Sequence, residues 1–421
     1  MGQPYPPGDI VSTVTNPPAA LGIDLMDGEF YGREPHDAYA WMRAHEPVFY
    51  DQANDIWAAA SYGAVKAASV DTEAFSSAQG IRPKYPPLPM MIDFDAPEHV
   101  RRRRLVSEGF TPKRVRAMED QLRVACDTIL DTICESGGCD FVADIAAPLP
   151  IAVIGDMLGV APADRAELLE WSDVMLKAQG SPDPDAMIGA MHAFEGYTNY
   201  ITPVLADRKA SGSATDLVGV LCQAEIDGDS LDDSSLIHET LLILIGGDET
   251  TRHVISGGME ELLSHPDQLA RLTADPEGLM PGAVEEMLRW VSPIKNMART
   301  ATRDVELAGA TVKEGQELLL LYPSANRDET VFDDADRFDI TRSPNPHVAF
   351  GFGAHFCLGN QLARLELKVM FERLLARMPD IHLAAKRDAL PRRPANFISG
   401  FEAMPVAFTP SAPLGRRAGA A

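Results

Sequence analysis

A chain of 421 residues that is 45% hydrophobic and 24% charged has too much apolar material for a disordered protein and enough to bury a large core. Its 37 Lys and Arg stand against 62 Asp and Glu, a net charge of −25, which argues against nucleic acid as a partner because phosphate binding needs a basic surface. Five cysteines (Cys126, Cys134, Cys139, Cys222 and Cys357) do not make a disulfide framework, and the step from Cys134 to Cys139 is wrong for a zinc knuckle.

In chain order, Met1 to Asn16 is rich in Pro and Gly and lacks the charged start and apolar run of a signal peptide, so a loose tail and a cytoplasmic location are expected. Pro47 to Tyr50 and Ile56 to Ala58 read as short strands. From Pro97 to about Pro281 helical periodicity dominates, over Val115 to Cys134, Asp164 to Leu176, Met187 to Ser211 and Leu236 to Leu263. The last helix, with Asp232 and Asp233 as caps, is long enough to cross a whole domain. It carries Gly246-Gly247 in mid-helix, at a cost of roughly 1 kcal/mol each relative to Ala, which implies a close approach to the backbone. Its densest apolar run, Leu241 to Ile245, falls far short of the roughly 20 residues that span a bilayer, so no membrane anchor is expected. Val305 to Leu307 and Glu317 to Leu321 read as strands, a last helix starts at Gly359, Phe397 to Phe408 reads as a hairpin, and Pro410 to Ala421 as a second loose tail. The fold class this gives is mainly α with small β-sheets, in one large domain over residues 1–421. One stretch breaks the acidic background: Arg101-Arg102-Arg103-Arg104, followed by Lys113, Arg114 and Arg116.

Three patterns carry chemistry. Phe350-Gly351-Phe352-Gly353-Ala354-His355-Phe356-Cys357-Leu358-Gly359 sets one cysteine among glycines just before a helix, whose N-terminus favours an anion and hence a metal-binding thiolate. By itself this is equally a buried thiol in a glycine-rich turn. Gly246-Gly247-Asp248-Glu249-Thr250-Thr251 puts an acid beside a hydroxyl in an apolar helix, where an unpaired carboxylate would be very costly. Glu286-Met287-Leu288-Arg289 places an acid and a base on one helix face, which is usually surface decoration.

The cysteine segment resembles the haem-binding loop of the cytochromes P450 in its Phe, glycines, basic residue, Cys and final Gly. The resemblance implies the P450 fold as a single haem domain, haem b as cofactor, Cys357 as iron ligand, and Phe350, Gly351 and Gly359 around the cofactor. It makes Thr250 the hydroxyl near dioxygen and Glu249 its proton source. His99, Arg103, Arg299 and His355 would neutralise the haem propionates. Glu286 and Arg289 would form a structural lock with a later arginine, Arg337. The expected activity is a monooxygenase that takes O2 and needs two electrons from outside, since no flavin or nicotinamide fingerprint is present. A ferredoxin with its reductase would supply them, docking near Arg101, Arg102, Arg104, Lys113 and Arg114 on the thiolate side. The protein is expected to be a monomer.

Pro89-Met90-Met91-Ile92-Asp93, Ile151 to Gly159, Leu241 to His253 and Lys295-Asn296-Met297 look like the bacterial P450s that oxidise the cholesterol side chain. That resemblance implies hydroxylation of the terminal methyl (C26/C27) of cholesterol and cholest-4-en-3-one, with onward oxidation to the acid, in an apolar pocket of Met90, Met91, Leu242, Ile245, Gly246 and Phe401. A branched fatty acid, terpene or polyketide as substrate stays open, as does a haem-based sensor without turnover, which Glu249 with Thr250 speaks against.

Overall fold

The computed structural model describes residues 17–179, 183–226 and 228–415. The helices that frame the site are α1 (Glu98–Ser107), α2 (Pro112–Ala117), α3 (Glu119–Ile133), α4 (Pro148–Leu158), α5 (Arg165–Lys177), α6 (Pro184–Ser211), α7 (Asp233–Ser264), α8 (Pro276–Val291) and α9 (Asn360–Arg377). The longest is α7, started by Asp232, whose carboxylate accepts from the Ser235 amide at 2.7 Å. At about 1.5 Å per residue its 32 residues cross the whole molecule. It packs on α4, α5, α6, α8 and α9, which explains why nearly every residue after Asp248 is buried.

Five short strands form a sheet at the N-terminal side: β1 (Val48–Asp51), β2 (Ile56–Ala59), β3 (Phe75–Ser76), β4 (Ala298–Ala301) and β5 (Glu317–Leu320), ordered β1-β2-β5-β4-β3. Only the β2–β5 pairing is parallel. One large core cluster joins residues from Met90 to Phe408, and smaller clusters pack beneath the sheet. Among the described residues no helix is long and apolar enough to cross a membrane, and all five cysteines are free.

Three expectations are corrected. The helix read over Val115 to Cys134 is two helices meeting at Met118, because Thr111 and Pro112 start a separate short turn with Thr111 capping the Arg114 amide. Phe397 to Phe408 is no hairpin: Ile398 bridges Ile294, Phe401 bridges Arg392, and Pro405–Ala407 is the middle strand between Gly138–Asp140 and His382–Leu383. Alternating apolar residues show strands but not which distant strand they pair with. Of the two tails, residues 410–415 are tied down, with the Ser411 amide on the Cys134 carbonyl (2.8 Å) and the Leu414 amide on Asp131 (2.9 Å). Residues 1–16 and 416–421 lie outside the described residues.

Candidate active site

The cysteine loop is held by its backbone. Gly351 (φ +70°) and Gly353 (φ +73°) are left-handed, and a Cβ on Gly353 would lie 2.4 Å from the Ser69 carbonyl oxygen, so only glycine fits there. The Cys357 amide closes the loop on the Phe350 carbonyl (2.8 Å), and the Asn360 side chain donates to the Cys357 carbonyl (2.7 Å) as α9 begins. Cys357 lies deep in the protein and keeps accessible surface only because it faces a cavity. Burial pushes its thiol up, against the Gly359 and Asn360 amides and the Arg103 and Arg364 guanidinium groups, which favour thiolate.

Across the cavity stands α7, and its two glycines have different reasons. A Cβ on Gly247 would strike Ile154 of α4 at 2.3 Å, so glycine there permits helix packing. At Gly246 nothing lies within 4 Å, and the bare backbone opens on the cavity opposite Cys357. Of the expected pocket residues, Met91, Leu242, Ile245 and Gly246 line the cavity. Met90 and Phe401 do not: Met90 is buried with its sulfur 3.5 Å from Arg82, and Phe401 packs under the Arg392 guanidinium at 4.0 Å. Phe397 and Ile398, from the same C-terminal segment as Phe401, take that wall instead.

A basic cluster borders the cavity. His99, Arg103 and His355 line it, the two imidazoles stacked at 4.0 Å, and Arg103 donates to the Phe356 carbonyl. Arg299 is buried beside them on β4 rather than in the wall, its guanidinium on the Ala298 carbonyl (2.7 Å). Burial and then the charges of Arg299, His99 and Arg103 push the His355 imidazole far down. Basic groups crowded this way would gain from an anion placed among them.

Thr250 lines the cavity and donates to the Gly246 carbonyl at 2.8 Å. Glu249 is fully buried and is not part of the wall. The sequence left it without a partner; the fold supplies two. Its Oε2 accepts from Arg252 one turn along α7 (2.5 Å) and from Arg393 of the C-terminal segment (2.8 Å). Burial pushes Glu249 up, with the two guanidinium groups opposing.

The Glu286 and Arg289 lock exists, and its third member is a correction. Both side chains are fully buried and joined at 2.7 and 2.8 Å. Arg342, not Arg337, completes it, with Nε 3.2 Å from Glu286. The Arg337 guanidinium is 62% exposed, and only its backbone carbonyl takes part, accepting from Arg289 (3.1 Å). Arg102 is likewise no free surface cation: it pairs with Glu98 (2.6 Å) and the buried Glu239 (3.2 Å) and donates to Ser235 (3.1 Å). Arg104, Lys113 and Arg114 are exposed.

The Cytochrome P450 family description matches residues 60–379. The Steroid C26-monooxygenase of Mycobacterium tuberculosis is 54% identical over 399 residues, 94% of this chain and 99% of that protein. A protein of the same name from Mycolicibacterium smegmatis is 54% identical over 394 residues, 93% of this chain and 97% of that one. Among solved structures, a Mycobacterium marinum cytochrome P450 in complex with pseudoionone aligns with a TM-score of 0.83 at 32% identity, over 89% of this chain and 95% of that one.

Proposed function

The chain belongs to the cytochrome P450 family, and from that premise we propose that it hydroxylates the terminal side-chain methyl (C26/C27) of cholesterol and cholest-4-en-3-one and carries the alcohol on to the carboxylic acid. It is a haem b monooxygenase that uses O2 and an external redox partner. The observation that carries the substrate is 54% identity, over nearly the full length of each, to two proteins named Steroid C26-monooxygenase.

The residues present fit the cofactor. A sulfur set against two amides and two guanidinium groups suits a thiolate, and burial of that anion is offset by a cation at the metal position. The crowded His99, Arg103, Arg299 and His355 would receive two propionates, while Phe350, Gly351 and Gly359 shape the loop around the ring. When bound, the haem supplies dioxygen activation, with thiolate ligation favouring O–O cleavage. The rest is the work of the chain. Gly246 withholds a side chain where the substrate carbon must come close, and Leu242, Ile245, Met91 and Phe397 exclude water around it. The Thr250 hydroxyl holds a proton at the cavity wall, and Glu249 resupplies it. Arg104, Lys113, Arg114 and the half-exposed Arg101 offer positive charge to an acidic ferredoxin, next to α1, which grips the cysteine loop through Arg103. Arg102, spent on Glu239 and Glu98, is not part of that surface.

The test is titration of the ferric protein with cholest-4-en-3-one, watching the haem absorption. A saturable shift to high spin supports a sterol substrate. No shift, with a response to branched fatty acids or terpenes, overturns it and leaves the family standing.

A further inference from the structure

The acid of the relay is sealed in: the Glu249 side chain is 0% exposed, so a proton it gives away cannot be replaced directly from water. Beside it, on a different helix, lies Asp173 of α5, whose side chain is 24% exposed. The two carboxyl groups are within hydrogen-bonding reach of one another. The same two arginines clamp both. Arg252 donates to Glu249 (2.5 Å) and to Asp173 (2.9 Å); Arg393 donates to Glu249 (2.8 Å) and to Asp173 (2.5 Å). Lys177, half-exposed one turn along α5, reaches Asp173 at 2.9 Å. The remaining titratable groups facing the pair are His253, whose Nε2 is 3.7 Å from Glu249, and Asp248, which accepts from Ser172 at 3.2 Å.

We propose that Asp173 is the proton entry port of the enzyme: a carboxylate that touches solvent on one side and Glu249 on the other, held in contact with it by Arg252 and Arg393. The inference rests on the reading of Glu249 and Thr250 as the proton-delivering pair. Both acids share both arginines, which holds the two carboxyl groups side by side, the arrangement that a proton passing from one to the other needs. Glu249 Oε1 accepts no hydrogen bond from a described residue, which leaves it available to the next group inward. Burial pushes Glu249 up, whereas Asp173, although burial acts on it in the same direction, is held well below the usual carboxylate range by Arg393 and Arg252. The two acids are thus pushed in opposite directions, the inner one toward holding a proton.

The transfer balances without a redox partner of its own. A proton from water bonds to the Asp173 carboxylate. Its O–H bond breaks as one forms on Glu249, and Asp173 returns to carboxylate. Glu249 then gives up the proton toward the Thr250 hydroxyl and is ionised again, ready for the next. Arg252 and Arg393 bridge the two acids and take no part in the transfer. The electrons of turnover come from the ferredoxin and do not pass through these groups.

The experiment compares Asp173→Asn, Asp173→Glu and Glu249→Gln in the haem-loaded protein. Infrared difference spectra of the resting protein report the shared proton without turnover: a deuterium-sensitive carboxylic acid band lost in Glu249→Gln should also be lost or shifted in Asp173→Asn. In steady state, Asp173→Asn should lower kcat at least about tenfold, less than the roughly 10²–10⁴ of a group acting on the reacting atoms, and raise the solvent isotope effect. Haem content and the steroid-induced spin shift should be unchanged, and Asp173→Glu should restore the rate. Wild-type kcat and isotope effect in Asp173→Asn overturn the port, as does an unaltered infrared band. A rate loss that Asp173→Glu does not rescue, with haem lost in parallel, makes the residue structural and overturns it too. Failure of the substrate reading shows separately, as an unsubstituted protein that does not respond to cholest-4-en-3-one, and the infrared comparison still decides the port.

Discussion

Glu286→Ala tests whether the α8 lock carries the stability of the thiolate side. Glu286 Oε1 accepts from Arg289 (2.7 Å) and the Asp339 amide (2.8 Å), and Oε2 from Arg289 (2.8 Å), Asn345 (3.1 Å) and Arg342 (3.2 Å). Without the carboxylate, Arg289 keeps the carbonyls of Asn326, Ala335 and Arg337 as acceptors but has no counter-charge, and Arg342 loses its buried one. An uncompensated buried charge costs about 3–5 kcal/mol, a fifth or more of the roughly 5–15 kcal/mol of a typical domain. Arg337→Ala is the control: its guanidinium reaches only Asp334 (3.8 Å) and Asp339 (3.4 Å) at the surface, worth about 0–1 kcal/mol, and the carbonyl that Arg289 uses survives the substitution. Arg342→Ala should fall between them.

The assay is equilibrium urea unfolding of the haem-loaded variants, with haem retention followed in parallel. Neighbouring Glu285 holds Arg364 of α9 at 2.6 and 2.9 Å, so movement of α8 reaches the cysteine loop and haem should be lost before the bulk of the helices unfold. A Glu286→Ala loss below about 1 kcal/mol, or an Arg337→Ala loss as large as that of Arg342→Ala, refutes the argument.

Cys357→Ser should abolish the thiolate-type spectrum of the ferrous carbon monoxide complex, and survival of that spectrum would reject the ligand. Thr250→Ala should keep haem and the steroid-induced spin shift while diverting electrons to peroxide; fully coupled turnover, measured as product per electron, counts against the relay. Charge reversal at Arg104, Lys113 and Arg114 should slow ferredoxin association and flatten its salt dependence, whereas Arg102→Ala should act on stability; equal effects on association from both would reinstate Arg102 in the docking surface. Burial pushes Glu239 from 4.5 up to about 7 despite Arg102. The folded state therefore keeps a proton that the unfolded chain loses, and stability from this group falls as pH rises from about 4.5 to 7. Glu239→Gln should remove that part of the pH dependence of thermal unfolding, and an unchanged profile speaks against the assignment.

What could be read from the sequence was what is local. Cys357, its glycines and the start of the following helix sit within ten residues, Gly351 to Asn360, and the requirement for left-handed φ at Gly351 and Gly353 is written in those residues alone. The lock shows the limit. Arg337 and Arg342 both lie in an irregular stretch with no period to fix which faces inward, and the motif order favoured the wrong one. Met90 and Met91 are adjacent, yet only the second reaches the cavity, because neighbouring side chains point apart and no strand or long helix set the phase. The partners of Glu249 divide in the same way. Arg252 was within reach of sequence reasoning, three residues on along one helix face. Asp173 and Arg393 lie 76 residues before and 144 residues after Glu249, and only the packing of α5 and the C-terminal segment on α7 joins them. The local motif thus names the acid, while its charge and its access to solvent are set by residues that no motif contains. Substitutions on α5 or in the C-terminal segment can then tune that acid without altering Gly246 to Thr251.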